Sequence, residues 1–357
     1  MRNPGPLVGW ILMIAAIAGT VVLGTLPAPY VIESPGPVFD TIGDIDLAGE
    51  STPVIDIDGS ETYPTSGSLD MLTVTLRGSR ERPLSWIDLA VAWFDPTRAV
   101  VPVEYVYPAG QSDQQNDDAS AADMADSQQE AVAAALRELG IDYTSIVTVA
   151  STLDGYPADG VLEPGDQILS VDGDQIDGVT ELTAALAAQP IGSTFQLDIV
   201  RDGAEQTVEL TTAASPDDAT VPIVGIGPGA TYDFPFDVTI NLGDVGGPSA
   251  GTMLALGVYD KLTPGELTGG ERIAGTGTIA ADGEVGAIGG IRQKMYGASA
   301  AGADWFLAPA SNCDEVVGHV PDGLEVFAIS TLDQAIHTVE TIADGGDTSG
   351  LATCTAG

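Results

Sequence analysis

Residues 246–262 read GGPSAGTMLALGVYDKL, a glycine-rich loop that leads into an apolar segment with helix-forming composition. Small residues on both sides of Ser249 permit a tight turn and let another backbone come close. If the helix begins near Ser249, its free N–H groups and its dipole surround the hydroxyl with partial positive charge, which a developing oxyanion needs. An ordinary serine N-cap is the alternative, so this stretch alone makes Ser249 only a candidate nucleophile.

A second glycine-rich loop, Gly289–Gly290, precedes a predicted helix over 291–301 and places Lys294 in its first turn. The chain has only two lysines, Lys261 and Lys294. A charged lysine is disfavoured at the N-terminal end of a helix, and burial there would lower its pKa toward a neutral amine able to accept a serine proton. The alternative is an exposed lysine without a chemical role.

Taken together, the run from Asp237 to Lys294 resembles the proteolytic domain of Lon proteases. The resemblance rests on short motifs in a fixed order: GPSAG at 247–251, LTGG at 267–270, AGTGTI at 274–279, GEV at 283–285, GGIRQK at 289–294, AGA at 301–303 and FLAP at 306–309.

This resemblance implies a Ser–Lys dyad in which Ser249 is the nucleophile and Lys294 the general base. It also implies that Thr276 orients the amine, and that Gly247 and Ala250 support the nucleophile as its motif neighbours. Directly before the motif the family usually carries an acidic residue, whereas this chain has Gly246.

The Lon-type domain is expected over residues 221–343, followed by a tail at 344–357. Strands alternate with helices there: predicted strands cover 237–242, 272–279, 284–288, 304–307 and 324–329, and predicted helices cover 249–259, 291–301 and 332–342. This alternation is typical of an α/β or α+β domain.

Residues 143–213 resemble the PDZ domain of bacterial proteases. The stretch 158–173 reads ADGVLEPGDQILSVDG, in which a GD-x-I-x-x-V-x-G run predicts a turn, a strand and a hairpin turn. PDZ domains bind extended peptides by adding a strand to a sheet edge. This sequence lacks an obvious GLGF carboxylate loop, so the residues that would hold a peptide end are not predicted.

The first 32 residues predict a membrane anchor. No charged residue occurs from Asn3 to Ile32, and the apolar run at 7–26 has the roughly 20 residues that span about 30 Å of hydrocarbon. Arg2 precedes the run and acidic residues follow it, so the positive-inside rule predicts a transmembrane helix at 7–29 with the rest of the chain outside the cytoplasm. A cleaved signal peptide is the alternative, although no A-x-A site follows.

Two segments connect the anchor to the PDZ-like domain. Residues 34–110 have the alternation and turn signals of a β-rich module, without a catalytic constellation. Residues 111–142 are predicted as an acidic loop and a helix. The polar stretch 110–126 has the composition of a mobile loop, and Ser127 with Glu130 forms a capping-box pattern that predicts a helix start.

The charge of −41, from 52 acidic and 11 basic residues, argues against a nucleic-acid partner. No cofactor or metal site is predicted, and no G-x-x-x-x-G-K-[ST] occurs, so this chain carries no P-loop ATPase. Cys313 and Cys354 are a disulfide candidate in an oxidising compartment, and two free thiols are the alternative.

The expected fold class is α+β and multidomain: a transmembrane helix, a β-rich module, a PDZ-like domain and a Lon-type proteolytic domain. The expected function is an ATP-independent serine endopeptidase that cleaves unfolded or membrane-proximal polypeptides outside the cytoplasmic membrane, with the PDZ-like domain presenting substrates. The resemblance to Lon proteases also suggests assembly into a homo-hexamer. The alternatives are a triad using His319 or His337 and a catalytically inactive PDZ scaffold at the membrane.

Overall fold

The computed structural model describes residues 5–47, 49–108, 110–216 and 218–355, with side chains from residue 9 onward. The chain divides into two compact units. The first unit joins Met1–Glu138 to Val238–Gly357, and the second is Leu139–Asp237. The second unit is therefore an insertion between two halves of the first.

The helices share one numbering along the chain: α1 Gly5–Thr25, α2 Trp86–Ala92, α3 Val103–Val106, α4 Asp113–Glu138, α5 Val179–Ala187, α6 Gly251–Leu262, α7 Ile291–Ala301, α8 Cys313–Val316 and α9 Leu332–Ala343. The strands are numbered in the same way: β1 Pro27–Ala28, β2 Tyr30–Asp40, β3 Asp44–Leu47, β4 Glu50–Pro53, β5 Ile55–Asp58, β6 Ser68–Arg77, β7 Leu84–Ser85, β8 Ala99–Pro102, β9 Thr144–Thr152, β10 Gln167–Val171, β11 Asp174–Gln175, β12 Thr194–Arg201, β13 Ala204–Thr211, β14 Ala213–Ala214, β15 Pro222–Ile223, β16 Ile226–Asp233, β17 Asp237–Ile240, β18 Arg272–Gly275, β19 Thr278–Ile279, β20 Val285–Gly286, β21 Trp305–Pro309 and β22 Glu325–Ile329.

A mixed sheet with the strand order β22-β21-β18-β6-β2-β8 forms the centre of the first unit. Strands β22, β21, β18 and β6 run parallel, whereas β2 runs antiparallel to both of its neighbours, β6 and β8. The first half of β6 is buried on both faces, as expected of a central strand. Residues 34–110, predicted as a separate β-rich module, thus share a sheet and a core with the C-terminal half. The predicted domain boundary at residue 110 lies inside the first compact unit.

Helices cover both faces of this sheet. Alternate residues of a strand point to opposite faces. Ala274 belongs to a buried cluster with Met295 of α7 and Phe306 of β21. A Cβ on the next residue, Gly275, would lie 2.6 Å from the Met253 sulfur of α6. Helices α6 and α7 therefore pack on opposite faces of β18.

Helix α4 differs from the sequence prediction at 110–126. Most of that stretch is the first half of a 26-residue helix rather than a loop, and its buried side chains include Met124 and the run 131–136. Isolated polar segments rarely form helices, but packing against α6 stabilises this one. The capping-box prediction for Ser127 is wrong, because Ser127 lies in the middle of α4 with its side chain buried.

An antiparallel sheet with the order β13-β12-β10-β9-β16, and α5, make up most of the second unit. Its core includes Ile168, Leu182 and Leu197. Because β16 pairs with β9 from Asp233–Thr144 to Ile226–Thr152, the segment 221–233 belongs here and not to the C-terminal domain predicted from 221. The Asp166 carboxylate of the GD-x-I motif accepts two hydrogen bonds from the Arg201 guanidinium.

The N-terminal helix α1 is apolar, and its described side chains are exposed. Within the part of the chain that the structure describes, we find no helix with both the length and the apolarity needed to cross a membrane. Arg2, on which the predicted orientation depends, lies outside the described residues.

Candidate active site

The candidate site lies at the carboxyl end of β18, where three segments of the first unit meet. Thr276 directly follows β18, Ser249 precedes α6, and Lys294 is the fourth residue of α7. Because α6 and α7 lie on opposite faces of the sheet, their N-terminal ends can meet only beyond the strand's end. Binding sites of α/β sheets commonly form at this edge.

Ser249 and Lys294 are in direct contact. The Lys294 Nζ lies 2.6 Å from the Ser249 Oγ and 2.9 Å from the Thr276 Oγ1. Lys294 is 2% exposed, and no carboxylate lies within 4 Å of its amine among the residues that the structure describes. The lysine amine is thus buried in contact with two hydroxyls.

Burial lowers the pKa of Lys294 to about 7 from its ordinary 10.5. The cause is desolvation, because removing an ammonium group from water without a counter-ion disfavours the charged form. Near neutral pH a substantial fraction of the amine is therefore uncharged and can accept a proton from a hydroxyl 2.6 Å away.

The backbone of Ser249 is held from the sheet side. Its carbonyl accepts a hydrogen bond of 2.9 Å from the Thr276 hydroxyl and one of 3.0 Å from the Gly277 N–H. Thr276 is completely buried. The side chain predicted to orient the lysine amine therefore contacts both Lys294 and Ser249.

Ser249 lies in the loop before α6 and does not cap the helix. Ala250 is the N-cap residue and makes no side-chain cap. Among the described residues, neither the Ser249 N–H nor the Ala250 N–H has a hydrogen-bond partner within the protein, whereas the Gly247 N–H donates to the carbonyl of Ser120. The first two N–H groups are thus available to an oxyanion, and the third is already engaged.

Sequence reasoning missed a buried asparagine that holds the segment leading to Lys294. The Asn312 side chain accepts from the Ile288 N–H and donates to the Ile288 carbonyl, both at 2.9 Å. Gly290 then turns the chain into α7 with a φ of +69°, and a Cβ there would lie 2.8 Å from Val74. A lone asparagine 18 residues after Lys294 carries no sequence signal of this role.

Cys313, next to Asn312, forms a disulfide with Cys354 in the structure. Cys354 packs against the cluster that contains Met295 and Phe306. The Ala328 N–H also donates to the Ala352 carbonyl, which fixes the C-terminal tail beside β22.

A cavity of about 450 Å³ opens in front of the two candidate residues. Its lining is largely apolar and comes from β2, β6, α4 and the loop before α6, including Phe39, Met71, Leu72, Met124 and Val245. The pairing of β6 with β18 ends at Met71, although β6 continues to Arg77. The following residues of β6 therefore border the cavity without a partner strand on the β18 side.

The histidines lie elsewhere. His319 contacts the carbonyl of Val317 through its Nδ1. His337 is exposed on α9, whose buried face carries Ile336 and Val339 instead. Neither ring contacts Ser249 among the described hydrogen bonds, which leaves a His-dependent triad without structural support.

In the second unit, a groove of about 400 Å³ lies between α5 and the segment 221–228. Its lining includes Leu182 and Leu186 of α5 and Ile226 of β16, which is an edge strand of its sheet. The run Val-Gly-Ile-Gly at 224–227, which includes the first two residues of β16, alternates apolar residues and glycine. This run lies beyond residue 213, where the PDZ-like domain was predicted to end.

Comparison with known proteins assigns both regions. Residues 122–212 match the PDZ domain family, and residues 240–341 match the Lon protease (S16) C-terminal proteolytic domain. Among solved structures, the PDZ domain of the SdrC-like protein from Listeria monocytogenes is 24% identical and covers 23% of this chain and 85% of that chain, with a TM-score of 0.22.

Among characterised proteins, Lon protease 1 of Sorangium cellulosum is 38% identical over 25% of this chain, and the Lon protease of Clostridioides difficile is 34% identical over 25%. The matched segments cover 11% and 12% of those relatives, so this chain shares only about a tenth of their length. The chain thus contains a PDZ domain and a Lon protease C-terminal proteolytic domain.

Proposed function

We propose that the chain is a serine endopeptidase that uses Ser249 as nucleophile and Lys294 as general base. The observation that carries this proposal is the buried lysine, without a counter-ion among the described residues, at 2.6 Å from the serine hydroxyl. A low-pKa amine next to a hydroxyl is one of the known ways to activate serine. The Lon-type match over 240–341 supports the same reaction class.

In the acylation step, the Ser249 Oγ attacks the peptide carbonyl carbon while its proton passes to the neutral Lys294 amine. The tetrahedral intermediate then collapses. The C–N bond breaks, the leaving nitrogen takes the proton from the Lys294 ammonium, and an ester to Ser249 remains. In deacylation, water loses a proton to Lys294 and attacks the ester, and the Ser249 Oγ leaves with that proton.

The N–H groups of Ser249 and Ala250 are the best candidates for stabilising the oxyanion. They lie at the start of α6, where the helix dipole favours negative charge. Their lack of protein partners in the described structure leaves them free to donate to substrate. One donor of this kind is worth about 10²–10³ in kcat.

The cavity in front of Ser249 fits an extended polypeptide. Its apolar lining from Phe39, Met71 and Met124 would receive an apolar side chain next to the scissile bond. The portion of β6 beyond Met71 offers backbone groups to an added strand. Both features favour unfolded or extended chains as substrates.

We propose that the second unit presents substrates through its groove, that cleavage needs no ATP because this chain has no P-loop, and that residues 7–29 anchor the protein with its bulk outside the cytoplasmic membrane. We also propose a homo-hexamer by similarity to Lon proteolytic domains. Carbonate extraction of membranes tests the anchor, protease protection tests its orientation, and light scattering of the purified protein tests the homo-hexamer. Cleavage assays with and without ATP, and with residues 143–213 deleted, test the other two points.

The dyad is tested by covalent labelling with a fluorophosphonate or a peptide boronate. We expect labelling of the wild-type protein and its loss in Ser249→Ala and Lys294→Ala. Lys261→Ala, which changes the other lysine, and His337→Ala serve as matched controls and should keep it. A well-folded wild type that neither binds the probes nor cleaves unfolded casein would favour the alternative, an inactive PDZ scaffold.

A further inference from the structure

Helix α4 contacts the two residues that precede the candidate nucleophile. The Gly247 N–H donates to the Ser120 carbonyl at 2.8 Å, and the Ser127 hydroxyl donates to the Pro248 carbonyl at 3.0 Å. The Gly251 N–H approaches the same Pro248 oxygen at 3.4 Å. One helix therefore holds the Gly246–Gly247 and the Pro248–Ser249 peptide groups of the loop.

Helix α4 and the loop come this close because positions 246 and 251 are glycines without a Cβ. A Cβ on Gly246 would lie 2.5 Å from the Ser120 Oγ, and a Cβ on Gly251 would lie 2.9 Å from the Ser127 Oγ. This explains why glycine occupies position 246, where Lon proteases usually carry an acid: α4 lies where that side chain would be.

Ser127 departs from the usual behaviour of a serine inside a helix. Such a hydroxyl commonly bonds to the carbonyl one turn earlier in its own helix. Here Ser127 is 5% exposed and instead reaches a carbonyl 121 residues away in the sequence. The interaction is thus tertiary and specific to the loop.

The Pro248 carbonyl and the Ser249 N–H belong to one planar peptide group. A donor on the carbonyl therefore fixes the direction of the N–H, and hydrogen bonding at one end of a peptide group also strengthens donation at the other. The Ser249 N–H is one of the two candidate oxyanion donors described above.

We propose that Ser127 is a positioning residue for the oxyanion-binding site: through the Pro248–Ser249 peptide group, its hydroxyl aims the Ser249 N–H at the substrate carbonyl oxygen. The inference rests on the proposed peptidase function. Ser127 touches neither substrate nor Lys294 in this role. Its removal should therefore lower transition-state stabilisation while leaving substrate binding and the titration of the lysine unchanged.

The test compares Ser127→Ala and Ser127→Cys with wild type, using Gln129→Ala, an exposed neighbour on α4, as the control. We expect kcat per titrated active site to fall about tenfold in Ser127→Ala, which is less than the loss of a whole oxyanion donor. KM should change less than twofold, and the midpoint of the pH profile should stay in place. The cysteine keeps the size but donates weakly, so its kcat should be intermediate.

Affinity for a peptide boronate, whose adduct with serine is tetrahedral, should fall in parallel with kcat. A merely structural role would instead reduce the fraction of titratable sites or the melting temperature while kcat per site stayed within twofold, and that outcome overturns the proposal. So does an unchanged boronate affinity. If wild type itself is neither labelled nor active, the peptidase proposal fails and this one fails with it, whereas a labelled wild type with a normal Ser127→Ala variant overturns only the role of Ser127.

Discussion

At the scale of single residues, the protonation state of Lys294 should control the rate. Burial holds its pKa at about 7, and only the uncharged amine can take the serine proton. We therefore expect kcat/KM to rise with pH through a midpoint near 7 and to be largely lost below pH 6.

Stopped-flow cleavage of a fluorogenic peptide between pH 5.5 and 9 measures this profile. His319→Ala and His337→Ala should keep the midpoint, because neither ring touches the site. A midpoint that disappears in either histidine variant would contradict the lysine as the titrating base.

The same burial should make Lys294 a burden on stability. Between pH 7 and 10.5 the unfolded chain holds a proton on Lys294 that the folded protein has lost, so this residue makes the unfolding free energy rise with pH over that window. Below pH 7 the folded state carries the full penalty of a buried charge. Lys294→Met should therefore stabilise the protein by roughly 2–4 kcal/mol at pH 7.

The gain should shrink as the pH approaches 10. Urea unfolding of both proteins at pH 7 and pH 9.5 checks it, with Lys261→Met as the control for removing a partly exposed lysine. A methionine variant less stable than wild type at pH 7 would show that the lysine's hydrogen bonds outweigh its desolvation.

At the scale of elements, the orientation of α7 should depend on Asn312. Its side chain satisfies both backbone groups of Ile288 in a buried site, and leaving a buried polar group unpaired costs about 1–3 kcal/mol each. We expect Asn312→Ala to lower the unfolding free energy by roughly 2–4 kcal/mol and to reduce kcat, since the segment before Lys294 loses its support. Chemical denaturation and steady-state kinetics measure both effects.

The exposed neighbour Ser311 provides the control, and Ser311→Ala should change stability by less than about 0.5 kcal/mol. A fully stable and active Asn312→Ala variant would show that Gly289 and Gly290 hold the turn without it.

The disulfide should contribute stability rather than chemistry. Cys313 and Cys354 close a loop with a sequence separation of 41, and removing a native disulfide typically costs about 2–5 kcal/mol. The double variant Cys313→Ala/Cys354→Ala should melt at a lower temperature yet keep its boronate labelling at 20 °C. Calorimetry and labelling of the same sample test the two halves of this prediction, and lost labelling in a folded sample would refute it.

Local sequence signals predicted the residues of the candidate site better than the helix and side chains that hold those residues in place. The order of the glycine-rich motifs indicated Ser249, Lys294 and Thr276 as site residues. In the structure the Lys294 amine contacts both hydroxyls, and the Thr276 hydroxyl donates to the Ser249 backbone carbonyl. The first half of α4 was missed because its polar residues have no apolar period, and tertiary packing decides its structure. Ser127 was interpreted as a cap because the capping-box pattern is local, whereas its actual partner, Pro248, is distant in sequence.

At the scale of the whole molecule, the interleaved sheet predicts which fragments fold. A fragment of residues 221–357 lacks β6, the parallel neighbour of β18, and would expose the buried edge around Ile273. We expect it to show no cooperative thermal unfolding. The second unit, 139–237, has its own sheet and core and should unfold cooperatively by circular dichroism. A cooperative 221–357 fragment would contradict the shared sheet.

Which strands pair with each other could not be predicted from the sequence. Periodicity predicted β-structure in 34–110, but it does not specify a partner strand about 200 residues downstream. Likewise, a strand at 226–233 reads the same whether it joins the PDZ-like sheet or the Lon-type domain. Only the hydrogen-bonded register with β9 decides between them.

Because β6 pairs with β18, the central sheet cannot be completed until β18 has been synthesised. Met71 must wait for Gly275, and at roughly 5–20 residues per second the ribosome needs about 10–40 s to supply it. During that interval β6 lacks its parallel neighbour β18, and the inserted unit is synthesised before β18. Lys294 is translated after Ser249, β6 and the inserted unit, so the nascent chain carries no assembled dyad before residue 294 has been synthesised.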